Sequence, residues 1–100
     1  MTGDAAERER RIVDVLMSLG AGEVTTYGDV ADVAGHPGRA RLVGTILATT
    51  DAEVPWWRVV GAGGHLRAPD TRQQRALLAA EDVVVRHGRV IEAPVGRFSR

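Results

Sequence analysis

The segment Thr25–Thr50, TTYGDVADVAGHPGRARLVGTILATT, constrains this chain more than any other, because it holds two short apolar-periodic stretches parted by a turn that neither can cross. Thr26 precedes the first stretch as an N-cap, Asp29 follows three residues on near the positive helix end, and Val30, Val33 and Ala34 supply the apolar side. Gly35 is placed to terminate this helix, and His36-Pro37-Gly38 makes a tight turn. The next stretch carries Ala40, Val43 and Leu47, with Leu42 and Ile46, on one broad arc of a helix. Two short helices joined through a Gly/Pro turn form a helix-turn-helix. The opposite arc of the second helix is Arg41, Gly44, Thr45 and Ala48. Small residues let a backbone approach another surface closely, and a long cation beside a helix N-terminus suits a phosphate. This is the profile of a DNA-facing helix; its plain alternative is a solvated face, which ordinarily carries several charges.

The flanks supply the remaining elements. Ala5–Gly20 places Ile12, Leu16 and Leu19 at helical spacing, reinforced by Val13 and Val15, with Gly20 where a left-handed cap is expected. Beyond the polar loop TTDAE, Arg58-Val59-Val60 and His65-Leu66-Arg67 are expected to form two strands joined by the GAGG turn, a wing behind the helix-turn-helix. Asp70 or Thr71 caps a fourth helix with Ala76, Leu77 and Ala80 on its apolar face. VVVRHGRVI is a β-prone pair of segments around His87-Gly88, and EAPVGRFSR is expected to be a frayed tail. The expectation is one domain over residues 1–100, α+β and mostly helical, a winged helix-turn-helix.

Composition narrows the chemistry. The chain has no cysteine, which excludes a disulfide framework, a thiolate zinc site and a cysteine nucleophile together. His36, His65 and His87 are too scattered for a metal cluster, so no metal and no cofactor is expected. No apolar run approaches the ~20 residues that span a bilayer, and MTGDAAERER is too charged for a signal peptide. The chain is expected to be soluble and cytoplasmic, nucleoid-associated when on DNA, without a membrane partner. Net charge is zero, but residues 1–35 hold three arginines against seven acids while residues 36–75 hold six against three. The middle of the chain is therefore a candidate anion-facing surface. Codon bias toward arginine would explain the absence of lysine, though not this asymmetry.

Both tryptophans fall in one place, VPWWRVV, between a proline and an arginine. Taken in order, TTYGDVADVAGHPGRARLVGTILA, VPWWRVV and LLAAEDV resemble the DNA-binding domain of alkylguanine-DNA alkyltransferases, over roughly Gly22 to Val83. Those repair proteins have a P-C-H-R-V core whose cysteine takes the alkyl group from O6 of guanine. Here Trp56 stands at the cysteine and Trp57 at the histidine, a substitution similar to that of the alkyltransferase-like proteins.

The resemblance implies roles residue by residue. Tyr27 would press on the phosphate 3′ of the target nucleotide and help rotate it out of the stack, and Arg41 would be the finger filling the vacated space. Thr26, Arg39, Ala40, Gly44 and Thr45 would join Arg41 on the DNA, with the recognition helix in the minor groove, where small side chains fit. Pro55, Trp57 and Arg58 would frame the active-site loop. Leu47, Trp56, Val59 and Arg67 would complete the lesion pocket with Tyr27, Arg67 in a cation–π contact. Glu81 matches the glutamate that in the enzymes acts through the histidine, and here it is expected to be structural. For Trp57, anchoring the loop to the core is favoured over base contact.

Chemistry agrees independently. Accepting an alkyl group needs a strong nucleophile such as a thiolate, and an indole is too weak. An indole instead offers a stacking surface worth ~1–3 kcal/mol against a base. The expectation is a monomeric, non-enzymatic protein that binds O6-alkylguanine in double-stranded DNA, flips the base, and marks the lesion for nucleotide excision repair proteins. The alternative is a winged helix-turn-helix transcription regulator, which would need base-reading side chains on the third helix.

Overall fold

The computed structural model describes residues 2–98. Its elements run α1 (Thr2–Met17), β1 (Glu23–Thr26), α2 (Tyr27–Val33), α3 (Ala40–Thr49), a 3₁₀ turn Trp56–Arg58, β2 (Val59–Val60), a second 3₁₀ turn Ala62–Gly64, α4 (Thr71–Ala79), β3 (Val84–Arg86), β4 (Arg89–Glu92) and β5 (Gly96–Phe98). The α+β, mostly helical architecture expected from the sequence is the one observed.

Local signals set α2 and α4. The Thr26 Oγ1 accepts from the Asp29 N–H at 3.0 Å, and an Asp70 carboxylate oxygen accepts from the Gln73 N–H at 3.0 Å. Gly35, with φ +88, ends α2 in the left-handed conformation that lets His36 N–H reach the Ala31 carbonyl at 2.8 Å. The first helix differs from expectation: α1 stops at Met17, and the left-handed glycine beyond it is Gly22, φ +81, instead of Gly20. Leu19 still reaches the core from the turn.

Three parallel strands in the order β2-β1-β5 divide the interior. Parallel pairing needs a crossover, and α2 with α3 forms it between β1 and β2. Successive strand residues point to opposite faces, so Val59 and Val60, both fully buried, enter different cores. Val59 packs among Ile12, Leu16, Val30, Val43 and Ile46 of the three N-terminal helices, while Val60 packs with Val24, Leu66, Leu78 and Val83.

Three expectations are corrected here. Val59-Val60 does not form a hairpin with His65–Arg67: it pairs in parallel with Thr25-Thr26, because two adjacent valines buried on opposite faces need a strand covered on both sides, which the two cores flanking this sheet provide. The glycine turn closes on itself, Gly61 N–H donating to the His65 carbonyl at 2.7 Å and Gly64 N–H to the Gly61 carbonyl at 3.0 Å, and Leu66 leans instead on the β3–β4 hairpin, its N–H donating to the Gly88 carbonyl at 2.9 Å. In α4 the buried side chains are Gln74 and Leu78, whereas Ala76 and Ala80 are exposed and Leu77 is half-buried. Gln74 is buried because its amide donates to the Trp57 and Val59 carbonyls at 3.2 and 3.0 Å, holding the loop from beneath. The tail is not frayed over Gly96–Phe98, which adds to the open edge of β1 as β5; Ser99 and Arg100 lie outside the described residues.

Gly64 makes the closest approach between the glycine turn and the hairpin. A Cβ there would lie 2.8 Å from the Val90 carbonyl oxygen, at φ +93. Gly64→Ala should therefore cost at least ~2 kcal/mol of unfolding free energy, combining left-handed strain with a backbone clash. Gly88→Ala, at φ +71 but in open space, should cost only about 1 kcal/mol. Equal losses in urea denaturation would show that no close packing exists at Gly64.

Candidate nucleic-acid interface

An open cleft of about 1020 Å³ lies between the exposed arc of α3, the Trp56 turn and the N-terminal end of α4. It gathers Tyr27, Ala40, Arg41, Gly44, Thr45, Leu47, Trp56 and Arg67, residues spread over forty positions of chain and singled out from the sequence. The small face of α3 forms one wall, with Arg41 exposed near its N-terminal end. The Thr45 hydroxyl is bonded back along its own helix, donating to the Arg41 carbonyl at 3.2 Å. Leu47 and Ala40 floor the same wall, half-buried between cleft and core.

Arg67 closes the opposite side. Its side chain lies across Gly61, where a Cβ would stand 2.9 Å from its Cγ and Nε, so only glycine leaves it room. Burial pushes the Tyr27 phenol above its ordinary value, and the nearby Arg67 charge partly opposes this. The phenol therefore stays neutral at pH 7 and keeps a proton to donate.

Trp56 is half-buried at the cleft and meets Trp57 edge to face, ring centroids 6.0 Å apart and planes at 89°. Trp57 is held from behind. Its indole N–H donates to a Glu81 carboxylate oxygen at 2.9 Å, and the Arg58 guanidinium lies 5.0 Å over its ring. Arg58 pairs with Glu81 through Nε and Nη2, the latter at 2.6 Å, and donates through Nη1 to the Leu19 carbonyl at 2.8 Å. The Gly22 N–H completes the set at 2.9 Å. Burial alone would raise the Glu81 carboxyl, but the hydrogen bonds from Arg58, Gly22 and Trp57, with the Arg58 charge, outweigh it and bring the pKa down to about 2.

Not every residue singled out reaches the cleft. Val59 is fully buried among the N-terminal helices and forms no part of its wall, because strand alternation points it inward. Thr26 is the α2 cap, and Arg39 is the exposed cap position of α3. Pro55, Trp57 and Arg58 stand behind Trp56 as a frame, Pro55 being buried. Conversely, Gly61, Ala62, Ala68, Pro69, Asp70 and Gln73 line the cleft without having been singled out for it. Asp70 was legible as a cap, but only the return of the chain from the glycine turn Ala62–Gly64 brings the α4 N-terminus to the Trp56 cleft. Among the described residues no group of three or more histidines and carboxylates could hold a metal, and no helix is long and apolar enough to cross a membrane.

This fold is shared with known DNA-binding proteins. The sequence model described as 6-O-methylguanine DNA methyltransferase, DNA binding domain, matches residues 7–83, and the chain belongs to that family. Within it the chain is close to the alkyltransferase-like proteins. It is 42% identical over 80 residues to the DNA base-flipping protein of Escherichia coli K12, covering 76% of this chain and 62% of that relative's length. With the DNA base-flipping protein of Vibrio parahaemolyticus it shares 37% identity over 79 residues, 75% of this chain and 79% of the other. The crystal structure of S. pombe Atl1 in complex with damaged DNA containing O6-carboxymethylguanine superposes with a TM-score of 0.75 at 27% identity, over 87% of this chain and 89% of that one.

Proposed function

We propose that this protein binds duplex DNA containing O6-alkylguanine, rotates the damaged nucleotide into the cleft, and holds it there without repairing it. The observation that carries this reading is the convergence of Tyr27, Arg41, Trp56 and Arg67 on one cleft, with an indole where an acceptor enzyme would carry a thiol. The names of its relatives, base-flipping proteins and a complex with O6-carboxymethylguanine DNA, support it.

The α3 arc enters the minor groove, Tyr27 presses on the backbone beside the target, and Arg41 fills the space the base leaves. Thr26 and Arg39 contact the backbone at the two helix starts. Flipping costs a few kcal/mol in pairing and stacking. Stacking on Trp56 returns ~1–3 kcal/mol, and the Arg67 guanidinium over the base adds to it. The cleft holds no thiolate, the strong nucleophile such a displacement uses, since the chain has no cysteine. Its product is therefore a long-lived complex, which as a monomer on DNA marks the lesion for nucleotide excision repair proteins. A sequence-reading regulator is disfavoured because the Thr45 hydroxyl donates its proton to its own helix, leaving Arg41 the one long base-reading donor on the exposed arc of α3.

The test is binding with chemistry monitored. Titrated with a duplex carrying one labelled O6-methylguanine, the protein should bind it more tightly than the unmodified duplex while all label stays on the DNA. Equal affinity for both duplexes would sink lesion recognition. Label on the protein, or restored guanine, would sink the non-enzymatic reading.

A further inference from the structure

The family match ends at Val83, and the β3–β4 hairpin lies wholly beyond it. Its turn is His87-Gly88, with φ values of 53° and 71°, the two-residue left-handed geometry of a tight hairpin. This turn sets Arg86 directly across the ladder from Arg89. Like charges placed opposite each other destabilise a strand pair. The only acid in register, Glu92, faces Val84 at the far end. Neither arginine forms an ion pair among the described residues. Arg89 spends its Nε on the Gly63 carbonyl at 2.8 Å, while Arg86, His87 and Arg89 are all exposed. The tip is thus a cationic cluster that the protein leaves unneutralised.

That tip abuts the cleft. Leu66 N–H is bonded to the Gly88 carbonyl and His65 bridges Arg89, while Ala62 and Arg67, on either side of this stretch, line the cleft. With consecutive Cα atoms ~3.8 Å apart, the tip stands within roughly 10 Å of the cleft wall. A DNA strand presents a phosphate about every 3.4 Å of rise, so a strand with one nucleotide in the cleft carries phosphates within two or three steps of the tip.

We propose that the β3–β4 tip, through Arg86 and Arg89, is a second phosphate clamp that grips the backbone flanking the nucleotide in the cleft. The proposal rests on the DNA-binding reading above and adds to it a contact blind to the lesion. A phosphate between the two guanidinium groups removes their mutual repulsion, and the tip has no base-reading amide or carboxylate. The clamp therefore strengthens plain and damaged duplexes alike.

Binding of Arg86→Gln and of Arg86→Gln/Arg89→Gln to plain and O6-methylguanine duplexes between 50 and 200 mM salt tests this. Each lost phosphate contact should lower the slope of log K against log salt by ~0.9, and the double variant should lose roughly tenfold or more in affinity at low salt. The loss should be equal on both duplexes. Arg10→Gln, on the exposed face of α1, should leave slope and affinity unchanged. Because Arg89 also holds the Gly63 carbonyl, Arg86→Gln is the cleaner variant, and its circular dichroism should match the parent. Parental affinity and slope in Arg86→Gln would overturn the clamp, leaving the tip for an acidic protein partner. A loss confined to the damaged duplex with an unchanged slope would also overturn it, assigning the hairpin to support of the cleft wall. A parent protein that fails to discriminate the two duplexes would sink lesion recognition alone, since the clamp is read on plain DNA.

Discussion

Glu81→Ala should lower the free energy of unfolding by about 3 kcal/mol, the loss expected when one partner of a largely buried ion pair is removed and the other is stranded. The Arg58 and Glu81 side chains are each only 14% exposed. Removing the carboxylate leaves Arg58 with the Leu19 carbonyl and the Trp57 ring face but no anion, and strips the Trp57 indole and the Gly22 N–H of their acceptor. Glu81→Gln should fall between, because it keeps an acceptor but no charge. The pH dependence has a defined sign. Folding lowers the Glu81 pKa from 4.5 to about 2, so its stabilisation is fully present above pH 4.5 and is lost as pH falls through about 2. The stability gap between parent and Glu81→Ala, measured by urea denaturation, should hold from pH 7 to pH 5 and narrow toward pH 2. A gap that stays constant down to pH 2 would show that the ion pair is not its source. Trp56 packs edge-on against Trp57, so the same substitution should also loosen the stacking surface of the cleft.

Arg41→Ala should weaken binding to an O6-methylguanine duplex by ~1–3 kcal/mol, the range for a good DNA contact. Arg41 is exposed on the small-residue arc of α3 and lines the cleft opposite Arg67. A side chain that fills the gap left by a flipped base recovers part of the lost stacking and hinders the base's return, so its removal should hurt the flipped complex more than the first backbone encounter. Arg72→Ala, on the outer face of α4 and outside the cleft, should do much less. Arg41→Lys separates shape from charge, since it keeps the cation but loses the planar guanidinium that can stack in the gap. If Arg41→Lys binds damaged DNA like the parent, or if Arg41→Ala weakens plain and damaged duplexes equally, Arg41 is a phosphate contact and not a finger.

These two residues differ in how far the sequence could carry them. Arg41 was legible because an α-helix has a fixed period: once α3 was placed, its apolar arc and small-residue arc followed, and the structure exposes Arg41 and Thr45 as that period requires. Glu81 was matched to a family position and expected to be structural, but its four donors come from Gly22, Trp57 and Arg58, and no local pattern links them. Trp57 as an anchor was favoured on general grounds; its acceptor became visible only with α4 packed behind the loop.

Local signals alone placed the caps of α2 and α4, the glycine stop of α2, the helix-turn-helix and the His87-Gly88 hairpin, because caps, turns and periodicity act within a few residues and owe little to the rest of the chain. The missing thiol, which rules out a cysteine acceptor, is likewise a property of composition. What only the tertiary structure decided is non-local: strand β1 and its capture of Val59-Val60 and Gly96–Phe98, the inward turn of Val59 away from the cleft, and the burial of Gln74. Parallel pairing joins residues dozens of positions apart, and its hydrogen bonds are blind to side-chain identity. A strand of two valines therefore carries no sequence record of its partner, and its place is set by which arrangement buries both faces at once.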